Sequence, residues 1–155
     1  MTPSSNPPDP VAPTLTPASA APATPDSSTA ASGPSPVRLV QKPWGHEIIW
    51  AHTDRYVGKI LHVNAGHSLS VQYHERKDET VYLLHGHLRY WVRLPGETEL
   101  KDMALKPGDA FRITPGTVHY MEAVTDCDVL EASTPELDDV VRLKDLYGRE
   151  GTSAP

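Results

Sequence analysis

Four side chains with metal-binding donor atoms lie at short spacings in this chain. Gln72 and His74 are two residues apart, so in an extended strand both side chains point to the same face. Glu79 follows after a short polar turn, and His119 lies in a later strand-like stretch. An amide oxygen, two imidazole nitrogens and a carboxylate oxygen form a mixed ligand set that suits Mn, Fe, Co, Ni or Zn. A soft metal would prefer thiolates, and Cys127 is the only cysteine.

Each histidine, taken singly, has an ordinary alternative. A histidine on a half-buried strand is more often hydrogen-bonded than a metal ligand, and eight histidines in 155 residues make accidental pairs expected. His85 and His87 form such a pair, but Gly86 between them indicates a turn that would break strand alternation. His62 is an exception among the remaining histidines, because it shares a predicted strand face with Asn64.

The joint spacing of these residues is more specific than any one of them. Gly66, five residues, Gln72-Tyr73-His74, four residues, Glu79, six residues and Gly86 follow in order. This series resembles the first motif of the cupin superfamily, which reads Gly, five residues, His-x-His, three or four residues, Glu, six residues, Gly. The resemblance implies a small β-barrel with the polar set inside it.

The second cupin motif is also matched in spacing. It reads Gly, five residues, Pro-x-Gly, two residues, His, three residues, Asn, and Gly108, Gly116 and His119 stand at the corresponding positions. Thr114 replaces the proline and Ala123 replaces the asparagine, which are variations of turn and strand. In the first motif, glutamine replaces the first histidine, and that change concerns the metal chemistry.

Gln72, in place of the first histidine, makes the resemblance more specific to one branch of the cupin superfamily. The chain resembles the C-terminal isomerase domain of type II mannose-6-phosphate isomerases from about Lys42 to Arg149. The markers are Lys-Pro-Trp-Gly at 42–45, Leu-Ser-Val-Gln-Tyr-His at 69–74, Asp-Val-Val-Arg-Leu at 139–143 and Asp-Leu-Tyr-Gly-Arg at 145–149. Those proteins often carry a fused mannose-1-phosphate guanylyltransferase domain. We expect that activity to be absent, because 155 residues leave no room for the second domain.

The resemblance implies a reaction and a set of residues for it. It implies that Gln72, His74, Glu79 and His119 bind a divalent metal ion (Zn, Mn, Fe, Co or Ni), and that mannose 6-phosphate and fructose 6-phosphate are interconverted through an enediol. A divalent metal can stabilise oxyanion charge in such a reaction. The resemblance also places Lys77 where the type II enzymes carry an important catalytic arginine. Lysine keeps the charge but lacks the planar fork.

A sugar phosphate as substrate also requires cations for its dianion. Arg76, Arg89 and Arg142 are the candidates besides Lys77. Arg142 belongs to the C-terminal marker of the family, but an exposed position on an amphipathic helix explains it equally well. Arg89 shares a strand face with Trp91, and that face is either inside or outside the barrel.

Two other functions stay open at this point, because the cupin fold supports many activities. The first is another metal-dependent cupin enzyme, such as an iron- or nickel-dependent dioxygenase, which would consume oxygen. The second is a non-catalytic cupin that binds a small ligand without turnover. An isomerase differs from both in acting on a phosphorylated sugar and in losing activity on chelation.

The elements that would hold these residues are short strands separated by turns. Alternation and turn residues predict strands at 46–51, 56–64, 68–74, 79–84, 87–93, 110–113, 118–123 and 129–133. Apolar spacing from Leu137 to Leu146 predicts a short C-terminal helix that ends at Gly148. Many short strands separated by turns predict an all-β sandwich or barrel. The resemblance to the cupin superfamily implies, more specifically, a single cupin jelly-roll barrel with a short C-terminal helix.

Composition divides the chain into a tail and a domain. Residues 1–36 hold 10 of the 16 prolines and no aromatic residue, so we predict a disordered tail, a cupin domain over 37–150 and a disordered C-terminus over 151–155. A net charge of −6 argues against a nucleic-acid partner. No apolar run suits a membrane span or a secretory signal.

The single cysteine and the sheet edges give two further expectations. Because Cys127 has no partner for an internal disulfide, a reducing, cytoplasmic location is expected. Exposed strand edges invite pairing, so we expect a homodimer.

Overall fold

The computed structural model of the protein describes residues 32–149 and 151–152. Within these residues the chain forms twelve strands and no helix. The strands are β1 (Arg38–Lys42), β2 (Gly45–His52), β3 (Val57–Val63), β4 (Val71–Tyr73), β5 (Glu79–His85), β6 (Leu88–Arg93), β7 (Lys101–Leu105), β8 (Ala110–Ile113), β9 (Val118–Ala123), β10 (Cys127–Ser133), β11 (Val141–Lys144) and β12 (Gly151–Thr152). The predicted all-β class is confirmed.

The strands are arranged in two antiparallel six-stranded sheets. The first sheet has the order β1-β2-β3-β10-β5-β8, and the second has the order β12-β11-β4-β9-β6-β7. Strands distant in sequence are neighbours, and this arrangement fits a cupin jelly roll. Both sheets contribute side chains to one apolar core, which includes Leu61, Val63, Val81, Leu83, Leu88, Tyr90, Val92, Met121 and Val129.

The two-residue periodicity of the strands also brings charged side chains inside. In β5, Val81 and Leu83 are buried on the inner face, and Glu79 is buried on the same face at the start of the strand. In β10, Val129 is buried on the inner face and Glu131 lies two residues further on, also buried. One end of the barrel is therefore apolar, and the other holds carboxylates that need positive partners.

The predicted C-terminal helix is wrong. Val141–Lys144 forms β11, which pairs antiparallel with β4, with Val141 opposite Tyr73 and Arg142 opposite Gln72. Leu143 and Leu146 are 49% and 72% exposed, so the apolar positions do not form a buried helix face. The free edge of β4 offers backbone hydrogen bonds, and this pairing overrides the weak helical spacing of a short segment.

The predicted terminal segments lie mainly outside the described residues. Residues 1–31 of the predicted tail over 1–36 lie outside the described residues. Residues 32–37 are exposed and belong to no strand. Of the C-terminus predicted to be disordered over 151–155, residues 153–155 are also outside the described residues. Gly151 and Thr152 differ from that prediction, because they pair with β11. In the described part of the chain, no helix has the length and apolar character needed to cross a membrane.

Glycines at tight turns give a stability test for the barrel. A Cβ at Gly86 (φ 95°) would lie 2.3 Å from the carbonyl oxygen of Asp126 and 2.6 Å from Cys127 Sγ. Gly108 (φ 100°) has no described atom within 4 Å of that position. We expect Gly108→Ala to lower the free energy of unfolding by about 1–2 kcal/mol, the cost of left-handed backbone. Gly86→Ala should lower it by about 2–5 kcal/mol, because overpacking is added.

Urea denaturation of the two variants beside the unmodified chain measures this difference. Equal losses for Gly86→Ala and Gly108→Ala would contradict the close approach of the β5–β6 turn to the start of β10.

Candidate metal centre

Three strands bring the predicted ligand residues to the polar end of the barrel. Gln72 lies on β4, directly opposite His119 on β9, so both side chains point to the same face of the second sheet. His74 follows the end of β4, and Glu79 begins β5 in the first sheet. The loop from 74 to 79 therefore connects the two sheets at the site.

His74, Glu79 and His119 converge on one point. Glu79 Oε1 lies 3.5 Å from His74 Nε2 and 3.4 Å from His119 Nε2, and all three side chains are buried. One donor atom from each residue lies within 4.8 Å of the other two. His74 Nε2 is buried and has no hydrogen-bond partner among the described residues. Two imidazole nitrogens and a carboxylate oxygen around one point suit a divalent metal ion.

The tautomer of both histidines favours metal binding. His74 Nδ1 donates a hydrogen bond to the carbonyl oxygen of Asp139, and His119 Nδ1 donates to the carbonyl oxygen of Thr117 at 3.1 Å. Each Nε2 is therefore left with a free electron pair, as in most metal-binding histidines. Burial also lowers the pKa of His119, so its imidazole is neutral at pH 7.

Gln72 lies beside this cluster with its oxygen already engaged. Its Oε1 accepts a hydrogen bond of 2.7 Å from the hydroxyl of Ser70, and its side chain lines the cavity above the cluster. The predicted metal-ligand role of Gln72 stays a prediction.

Lys77 is a buried partner of the cluster and does not extend into solvent. Its ammonium donates to Glu79 Oε2 and, at 2.7 Å, to Glu131 Oε1. Burial opposes the charge, but the two carboxylates outweigh burial and raise the pKa of Lys77. Burial likewise opposes ionisation of Glu79, yet the ammonium of Lys77 holds the pKa of Glu79 well below its ordinary range. Both groups are ionised at pH 7.

A line of alternating charges continues from Lys77 along the inner face of the first sheet. Lys59 Nζ lies 3.7 Å from Glu131 Oε1 and 3.7 Å from Glu47 Oε2. Lys42 Nζ lies 3.6 Å from Glu47 Oε1. Lys59, Glu131 and Glu47 are not among the residues predicted from the sequence. A signal was present, because each occupies an inward position of an alternating strand, two residues from a buried apolar side chain.

The cluster opens into a cavity of about 130 Å³ between the sheets. Arg142 on β11 lines it and lies directly opposite Gln72 in the register. Arg142 Nε and Nη1 are buried and have no hydrogen-bond partner among the described residues. Burial, and then the neighbouring guanidinium of Arg149, lower the pKa of Arg142. A half-buried guanidinium with two unused donors is a ready site for an anion.

The other two predicted arginines lie elsewhere. Arg89 is on the outer face of the second sheet, where its guanidinium stacks 4.5 Å above the Trp91 ring and pairs with Asp102 at 3.3 Å. Arg76 is largely exposed, and its guanidinium lies 3.9 Å from Asp138. Neither side chain lines the cavity. Their role in substrate binding stays a prediction.

Asp139 holds the loop that carries the cluster, and the sequence analysis did not single it out. Its carboxylate accepts hydrogen bonds from three successive backbone amides: Glu75 at 3.0 Å, Arg76 at 2.6 Å and Lys77 at 2.7 Å. Its carbonyl oxygen accepts from His74. Burial opposes ionisation, but these amide bonds lower the pKa of Asp139. Asp139 therefore fixes both the ring of His74 and the backbone of Lys77.

Sequence comparison matches part of the chain to a known domain type. A family model described as a cupin domain matches residues 59–132, which include His74, Glu79 and His119. Mannose-1-phosphate guanylyltransferase ManC of Salmonella typhimurium is 34% identical over 117 residues, which cover 72% of this chain and 23% of that protein. The chain thus spans about a quarter of the length of this curated relative.

Comparison with solved structures agrees with the barrel. KdgF from Halomonas sp. superimposes with a TM-score of 0.54 at 27% identity, over 65% of this chain and 90% of that one. Oxalate decarboxylase from Bacillus subtilis superimposes with a TM-score of 0.62 at 12% identity, over 69% of this chain and 30% of that one. The second likeness establishes the fold alone.

The hydrogen bonds that the Asp139 carboxylate accepts from the backbone of the 74–79 loop, which we call the Asp139 clamp, can be tested by comparing Asp139 with Asp138. We expect Asp139→Asn to lower the free energy of unfolding by about 2–4 kcal/mol, because bonds to a buried carboxylate are lost. Asp138→Asn removes an exposed carboxylate next to it and should change stability by less than about 0.5 kcal/mol. Chemical denaturation of both variants measures the difference, and similar losses would show that the carboxylate of Asp139 is not the clamp.

Proposed function

We propose that the protein, whose residues 59–132 match a cupin domain model, is a metal-dependent sugar-phosphate isomerase that interconverts mannose 6-phosphate and fructose 6-phosphate. The observation that carries the proposal is the buried cluster of His74, Glu79 and His119 with an unpaired His74 Nε2. The similarity to part of a mannose-1-phosphate guanylyltransferase favours a phosphorylated mannose as the substrate.

The residues fit the metal that this proposal needs. His74 Nε2, His119 Nε2 and Glu79 Oε1 supply three ligand atoms, and Gln72 Oε1 would complete the set by leaving the hydroxyl of Ser70. The donors are nitrogen and oxygen, so Mn, Fe, Co, Ni and Zn are all suitable. A bound divalent ion would act as a Lewis acid toward the carbonyl and hydroxyl oxygens of the sugar.

The charge of the cavity supports an anionic substrate. The chain as a whole has a net charge of −6, yet six cationic and three carboxylate side chains line the cavity. They are Arg38, Lys42, Lys59, Lys77, Arg142, Arg149, Glu47, Glu79 and Glu131. A positive cavity in an acidic protein concentrates anions at the site. Arg142, with its unused donors, is the side chain we assign to the phosphate group.

Two cavity residues are suited to the proton chemistry. Lys77 is protonated and fixed between two carboxylates, so it serves as a fixed positive charge and not as a base. Glu131 is a carboxylate outside the cluster that faces the same cavity. We assign to Glu131 the transfer of the proton between the first two carbons of the sugar, with Lys77 stabilising the negative charge that develops.

A non-catalytic sugar-phosphate-binding cupin is the second candidate. It is favoured by one observation: the ammonium of Lys77 is already engaged by Glu79 and Glu131. A lysine held in this way cannot replace the two-pronged contact of an arginine. The two candidates share the metal and the ligand and differ in turnover.

The first test is turnover of mannose 6-phosphate by metal-stripped protein reloaded with Mn, Fe, Co, Ni or Zn in turn. We expect at least one metal to restore formation of fructose 6-phosphate. His74→Ala should abolish both metal retention and turnover, since two ligand atoms cannot replace three. Unchanged turnover after complete metal removal would contradict the proposal. Binding of metal and sugar phosphate without turnover would establish the second candidate.

The second test addresses the phosphate site and applies to both candidates. Arg142→Ala should weaken the affinity for mannose 6-phosphate by about 10- to 100-fold, the effect of losing charge-assisted hydrogen bonds. Arg89→Ala, on the outer face, is the matched control and should stay within about twofold. Calorimetric titration measures both. Equal affinities of the two variants would remove Arg142 from the phosphate site.

A further inference from the structure

A row of imidazole and carboxylate side chains crosses the outer face of the first sheet, away from the cavity. The strand register places His46 of β2 opposite His62 of β3, and His62 opposite Asp128 of β10. Asp128 is in turn paired with His85 of β5. Four neighbouring strands thus contribute one polar side chain each. The inward neighbours of His62, such as Leu61, are buried in the core, which separates this row from the interior cluster.

The carboxylate of Asp128 fixes the tautomer of two of these histidines. His62 Nδ1 lies 2.7 Å from Asp128 Oδ1, and His85 Nδ1 lies 3.4 Å from Asp128 Oδ2. An ionised carboxylate can only accept a hydrogen bond, so the proton is on Nδ1. Each Nε2 is left with a free electron pair. A histidine that donates its other nitrogen to a carboxylate is the usual arrangement of a metal ligand.

A second imidazole lies next to His62. The ring of His46 stacks on that of His62, with centroids 4.9 Å apart and planes inclined by 22°. The side chains are accessible to a hydrated ion, since those of His62 and Asp128 are 30% and 34% exposed. The side chain of His85 is 70% exposed.

From this arrangement we propose a second transition-metal site on the outer face of the first sheet. His46 and His62 are its ligands, and Asp128 orients His62. Imidazole ligands suit Zn, Ni and Cu, and of these Cu(II) binds most tightly at a given site. The site is independent of the interior cluster and of the proposed isomerase activity.

The experiment is equilibrium dialysis of the full chain against Cu(II), with metal counted per chain. We expect two equivalents for the unmodified protein and one each for His74→Ala, His62→Ala and His46→Ala. His52→Ala removes another exposed histidine of β2 and is the matched control, expected to keep both equivalents. Asp128→Asn should weaken the outer equivalent by about 10- to 100-fold, as losing an orienting partner does.

Electron paramagnetic resonance of Cu(II)-loaded His74→Ala protein provides a second readout. Nitrogen hyperfine structure that disappears in the His62→Ala His74→Ala double variant, while the thermal transition is retained, supports the outer site. Equal copper content and affinity in the unmodified, His62→Ala and His46→Ala proteins would overturn it. A reduction of the same size in His52→Ala would also overturn it, since binding would then be scattered over surface histidines.

Discussion

The buried carboxylate of Glu79 is the group on which the polar end of the barrel depends. One of its oxygens faces the imidazoles of His74 and His119, and the other accepts from the ammonium of Lys77. A carboxylate without partners in this position would be strongly unfavourable, since burying an ion costs several kcal/mol even after relaxation. Each partner must therefore be held in place. Lys77, buried in its turn, requires Glu131, and the ion pairs then continue along the first sheet toward solvent.

The C-terminal segment supplies the restraint that these partners need. Asp139 binds three backbone amides of the loop before β5 and the ring of His74, 65 residues away in sequence. Two residues later β11 pairs with β4 and brings Arg142 to the cavity. One short stretch of chain thus determines both the orientation of the His74 imidazole and the position of the half-buried Arg142 guanidinium. A helix over the same residues could do neither, because its backbone would bond to itself.

Local patterns in the sequence were enough to predict the strands that build the core and the three residues of the buried His–Glu–His cluster. Alternation in β3, β5, β9 and β10 is a two-residue signal that each segment carries alone, and motif spacing selected His74, Glu79 and His119. Contacts between residues distant in sequence could not be predicted from local patterns. The predicted strand over 68–74 is continuous only at Val71–Tyr73, with an isolated bridge from Ser68 to Glu122. The strand β11 depends on a partner edge that no local pattern reveals. Asp139 and Glu131 acquire their roles through residues more than 50 positions away.

The register of the second sheet explains why the cavity has a fixed layout. Arg142, Gln72 and His119 lie opposite one another on three adjacent strands, so their side chains share one face in a row. Adjacent strands are about 4.8 Å apart, so the backbones of the first and last residues are about 10 Å apart. Backbone hydrogen bonds hold this separation. A ligand that contacts both the guanidinium and the cluster must therefore have matching length, and the sheet, not a mobile loop, sets that length.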